Sequence, residues 1–145
     1  MTEYLDPLRK LHTVLIDSRK GYEEALTDAD GNDIAPLFRE MINLRDEHHA
    51  EIDAHVREAG ETPDESGSFL SVVHRTIFKI RALVNANDNT VIPGMIDGEE
   101  RIVTFYDDVL RSAPPPAVAS TLNGQVMRVR EQIAKMQAMD ASTHI

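Results

Sequence analysis

The 145-residue chain contains no cysteine. Disulfides, cysteine-ligated zinc fingers and thiol chemistry are therefore excluded. Aromatic residues make up only 5% of it, which suits an aliphatic helical interior better than a sheet core. No stretch approaches the ~18 uninterrupted apolar residues of a membrane span, so no membrane partner is expected. The opening Met1-Thr2-Glu3-Tyr4-Leu5-Asp6 has neither the basic start nor the apolar run of a secretory leader, and a cytoplasmic location is the expectation. Basic charge is also in short supply. Lys and Arg number 15 against 25 Asp and Glu, for a formal net charge of −10 and a pI near 4.9. An acidic surface repels phosphate backbones, so nucleic acid is not an expected partner.

Catalytic motifs are missing as well. There is no Gly-rich phosphate loop. Ser18, Ser71 and Thr104 have no base-and-orienter pattern around them, so nothing supports nucleophilic catalysis. Asp28-Ala29-Asp30-Gly31-Asn32 opens like a calcium loop, but Asp33 stands where that loop needs glycine and Arg39 where it needs glutamate. We read it as a turn. The chain reads as uncatalytic on these grounds.

What the chain does have is helical periodicity, in five segments bounded by breakers. The first covers residues 7–26, with Asp6 as N-cap, Pro7 in the first position and a stripe of Leu8, Leu11, Leu15, Tyr22 and Ala25. The second covers 34–59, capped by Asp33 and closed by Gly60. Its stripe starts as Leu37, Met41 and Leu44 and continues in the same spacing as His48, Glu51 and His55. The third covers 68–84, with Leu70, Val73, Ile77, Ile80 and Val84. The fourth covers 91–110 behind Thr90, with Ile92, Met95, Glu99, Ile102, Tyr106 and Val109. The fifth covers 115–139, with Val118, Leu122, Val126, Val129, Ile133 and Met136, and a weak point expected at Asn123-Gly124.

At this length the residues 1–145 form one domain. Short connections pair segments one with two and four with five as antiparallel hairpins. Segment three is then a helical crossover between them, the wiring of a ferritin-like four-helix bundle. A plain five-helix up-and-down array, with 68–84 as a full member, is the alternative.

Several strings stand together as a pattern. They are Leu8, Leu11 and Asp17 with Gly21-Tyr22-Glu23-Glu24-Ala25; Leu37-Phe38, Arg45 and Glu51-Ile52; Gly60, Ser66-Gly67-Ser68 and His74; and Gly98-Glu99 with Tyr106. In order and spacing they resemble a bacterial family of ferritin-like four-helix-bundle proteins of unknown function, a resemblance that extends over about residues 8–138. The resemblance implies a ferritin-like bundle and a link to metals or stress, and no particular reaction. The chain departs from the pattern at Arg130, where the resemblance leads one to expect histidine in the last helix.

Two readings of the inward polar residues follow. In one, His48, Glu51 and His55 share a face of segment two and, with Glu99, supply a metal site. Such a site would take iron or zinc, and the protein would have a stress or redox role. A di-iron centre needs two Glu-x-x-His motifs, and the sequence has none, the nearest string being Asp46-Glu47-His48-His49. The site would then be mononuclear, and His12 could lie level with His48 and join it. In the other reading Asp17, Arg45, Glu99 and Arg130 form a self-neutralising buried network that fixes helix register. This second reading, a non-catalytic bundle with a polar network in its core and no required cofactor, is the one we carry forward. Homo-oligomerisation through helix faces, and a small-molecule pocket between helices, are compatible with either.

Overall fold

The computed structural model describes residues 3–28, 34–62 and 91–143. They form four helices: α1 (Leu5–Asp28), α2 (Ala35–Glu58), α3 (Val91–Arg111) and α4 (Pro116–Thr143). No strand occurs among the described residues. The expected helix over 68–84, with His74 and the crossover, lies outside them, as do the expected caps Asp33 and Thr90.

Local chemistry accounts for the boundaries. Helix α1 starts two residues before the expected Pro7. Tyr4 and Leu5 are core residues themselves, and the Leu8 N–H bonds to the Tyr4 carbonyl at 2.9 Å. Asp6, expected as the cap, sits instead in the first turn, where its charge suits the positive end of the helix dipole. Pro7 remains in that turn, where a missing N–H breaks no helical bond. Helix α2 ends in a Schellman turn. Gly60 takes φ 81°, its N–H bonds to the Arg57 carbonyl at 3.0 Å, and the Glu61 N–H reaches the Val56 carbonyl at 3.2 Å. Helix α4 runs unbroken through Asn123-Gly124, where the sequence leads one to expect weakened helix or a bend. Both residues are exposed, and the opposite face is pinned by buried Leu122, Val126 and Val129.

Cross-helix bonds fix the directions. Ser18–Arg45, Arg19–Asp46 and His12–Asp53 run antiparallel between α1 and α2. Glu40–Lys135, Glu47–Arg128 and His55–Thr121 do the same between α2 and α4. Core packing shows the same between α1 and α3, with Leu8 and Leu11 against Tyr106 and Val109 at one end and Tyr22 and Ala25 against Ile92 and Met95 at the other. It follows that α2 and α3 run in the same direction. The last turn of α2 and the first turn of α3 therefore lie at opposite ends of the bundle.

The apolar interior is in two parts. At one end Leu8, Leu11, Leu15, Ile52, Val56, Tyr106, Val109 and Leu122 pack together. At the other, Tyr22, Ala25, Phe38, Met41, Leu44, Ile92, Met95 and Met136 do so. Between them lies a layer of buried polar side chains that includes Ser18, Arg45, His48, Glu99 and Gln125.

One stripe differs from its expected course. Beyond His48 the core side of α2 continues through Ile52 and Val56, both fully buried, while Glu51 is exposed and His55 half-buried. Steps of four from His48 keep an apolar residue inward; the step of three to Glu51 turns to the helix edge, where α4 lies.

Candidate functional site

The centre of the polar layer is built from three helices. Arg45 of α2 is fully buried and Glu99 of α3 is 1% exposed. An Arg45 Nη2–H donates to Glu99 Oε1, and the Tyr22 hydroxyl of α1 donates to Glu99 Oε2 at 2.6 Å. The Arg45 Nε–H donates to Ser18 Oγ at 3.2 Å. Both oxygens of Glu99 are thus engaged by donors, one cationic and one phenolic. Burial pushes the Tyr22 hydroxyl well above the usual phenol range, with the Glu99 charge adding to it, so the proton stays on oxygen. Burial works against the Arg45 charge, but Glu99 and the neighbouring phenols outweigh it and hold the guanidinium protonated.

Asp17 and Arg130 were expected in this network. Asp17 is buried, one residue before Ser18. Arg130 is not inside. Its side chain is 60% exposed and lies 3.8 Å from Asp107 on the surface. The reason is helical phase: Val129 occupies the inward position, and the next residue turns about 100° away from it.

A second chain of bonds joins α3, α4 and α2. The Tyr106 hydroxyl donates to Gln125 Oε1 at 2.7 Å. The Gln125 amide donates to the His48 carbonyl at 3.2 Å and to Glu51 Oε1 at 3.3 Å. His55 Nε2 meets Thr121 Oγ1 at 2.9 Å. The His48 ring is buried, and its pKa is lowered to about 3 by desolvation, with Arg45 and Arg128 adding repulsion. His48, Glu51 and His55 therefore share one side of α2, which faces α4. Their partners there are an amide and a hydroxyl, and Glu99 lies apart, held by Arg45 and Tyr22. An open crevice lined by Glu47, His48, Glu51, Thr121, Gln125 and Arg128 runs along this seam.

A third group was not anticipated as a unit. His12 of α1, fully buried, places Nε2 3.1 Å from Asp53 Oδ1, and its ring centroid lies 4.4 Å from that of His49. Asp53 Oδ2 accepts from Arg57 Nε at 2.8 Å. Burial acts to raise the Asp53 pKa, but the hydrogen bonds from Arg57 and His12 win and hold it below the ordinary carboxylate value. The helical pattern lets His12 lie level with His48 and assigns no role to His49 or Asp53. The available signal was the four-residue spacing of those two, which sets them on one face of α2.

The family model described as a domain of unknown function (DUF2383) matches residues 3–112, well over half of the chain. The chain belongs to this family. The matched region takes in Tyr22, Arg45 and Glu99 and also His12, His49 and Asp53, while α4, with Thr121 and Gln125, follows it. No curated protein and no solved structure matches the chain.

Proposed function

We propose that this family member is a ferritin-like helical bundle without a catalytic centre, a cytoplasmic protein that acts through its polar surface. The observation that carries the reading is the state of Glu99. The acid at the middle of the bundle, where ferritin-like proteins place metal-binding carboxylates, spends one oxygen on Arg45 and the other on Tyr22. A carboxylate so engaged holds the helices in register and offers no open ligand position. The parallel course of α2 and α3 supports the ferritin-like part of the reading, because bundles of that kind have one long connection between their hairpins.

The surface supports the rest. Met127, 62% exposed, is the one large apolar side chain that the described residues show to solvent. A polar, acidic exterior of this kind suits contacts with ions and charged partners.

The test is aerobic oxidation of ferrous iron. With the full-length protein added, the expected rate equals that of buffer alone. A catalysed, multiple-turnover oxidation would overturn the reading.

A further inference from the structure

We propose that His12, His49 and Asp53 form a mononuclear site for a divalent transition metal of the zinc class, set between α1 and α2. Each of the three can offer one ligand atom, and these atoms lie within 4.8 Å of one another. The site is separate from the Arg45–Glu99 network and shares no residue with it.

The donor chemistry selects the metal. Two imidazoles and one carboxylate suit zinc and its neighbours, whereas magnesium and calcium prefer an all-oxygen shell. The geometry is close to what such an ion needs. Ligand bonds of about 2.0–2.2 Å in a tetrahedron put adjacent donors about 3.3 Å apart. His12 Nε2 and Asp53 Oδ1 already stand 3.1 Å apart. The His49 ring, stacked at a 46° tilt against His12, is only half-buried, so a small rotation completes the third contact.

The surroundings favour a cation as well. His49 and Asp53 are four residues apart on one helix, and His12 projects from its antiparallel neighbour, so all three ride on rigid backbone. His12 is wholly enclosed, and the ring's one hydrogen bond is to Asp53. Arg57 binds the carboxylate oxygen away from His12, which orients the other oxygen as a single ligand atom, the usual role of an outer partner. The Asp53 side chain keeps 21% of its exposure, enough for an ion to enter from solvent and for water to take the fourth position.

The experiment is titration of chelator-treated, full-length protein with Co2+, followed by its visible absorption, and then displacement by Zn2+. The expected result is one equivalent bound, displaced by one equivalent of Zn2+. His49→Ala and Asp53→Asn should each weaken binding at least about 100-fold, beyond the loss caused by removing an outer partner. Glu51→Gln and His55→Ala should bind as wild type. Circular dichroism on each variant verifies the fold, and Arg57→Ala, which removes no ligand, should retain the one-to-one stoichiometry. The proposal is overturned if no saturable one-to-one binding occurs, if His49→Ala and Asp53→Asn bind as tightly as wild type, or if the loss follows Glu51→Gln or His55→Ala instead.

Discussion

Arg45 on α2 and Glu99 on α3 are bonded to each other with both side chains closed to solvent. Neither charge has water to fall back on. Replacing Glu99 by Gln keeps the shape and strands the guanidinium, which should lower stability by about 3–5 kcal/mol. Replacing both partners together, Arg45→Met with Glu99→Leu, removes the buried charge altogether and should restore most of that loss. Urea unfolding of the single and double variants checks the order, with the double variant expected to be the more stable.

Tyr22 gives Glu99 its second donor. Tyr22→Phe removes a hydrogen bond to a charged group, for an expected loss of about 1.5–3 kcal/mol. The same hydroxyl has less to offer once the carboxylate is gone. Combined with Glu99→Gln, the two losses should therefore sum to less than their separate values, and a double-mutant cycle in thermal or urea unfolding reads the coupling.

Acid should act through His48. Its folded-state pKa is about 3, below the ordinary value near 6.5. The unfolded chain therefore takes up this proton first, and stability falls as pH drops from about 6.5 towards 3. Above that window His48 is neutral in both states and adds no slope. His48→Gln should flatten the pH dependence of the unfolding midpoint between pH 6 and pH 4, measured as about six closely spaced urea curves, while leaving that above pH 7 unchanged.

Gly124 sits on the exposed side of α4, and a methyl group there would meet nothing within 4 Å. Gly124→Ala should raise stability by about 0.5–1 kcal/mol, through helix propensity and a less flexible unfolded chain. A rise in melting temperature without change in the near-ultraviolet spectrum is the expected sign.

Much of the helical pattern could be read from single-helix periodicity. The stripes of α3 and α4 are buried at every named position, Glu99 included. The parts that went astray are those where phase accumulates or where two helices must be aligned. On α2 a choice between steps of three and four moved the inward stripe from Ile52 and Val56 to Glu51 and His55. On α4 one residue of phase separates buried Val129 from exposed Arg130. The meeting of His12 with His49 and Asp53 depends on the register between two helices, which no pattern within either one encodes. Spacing places Tyr22 in the apolar stripe of α1, yet its hydroxyl is what completes Glu99.

The parallel course of α2 and α3 bears on how the chain folds. The bonds that close the polar layer between hairpins span long stretches of sequence: Tyr22 to Glu99, and His48 to Gln125, are each separated by 77 residues. Those within the first hairpin, such as Ser18 to Arg45, span 27. Local pairings close at lower entropic cost, so each hairpin can zip up before the two dock. Arg45 and Glu99 then stay hydrated until docking, and their mutual burial belongs to the last step. Stopped-flow kinetics of Glu99→Gln should accordingly show faster unfolding with little change in the folding rate, which makes the buried pair a latch on the finished bundle and not a seed for it.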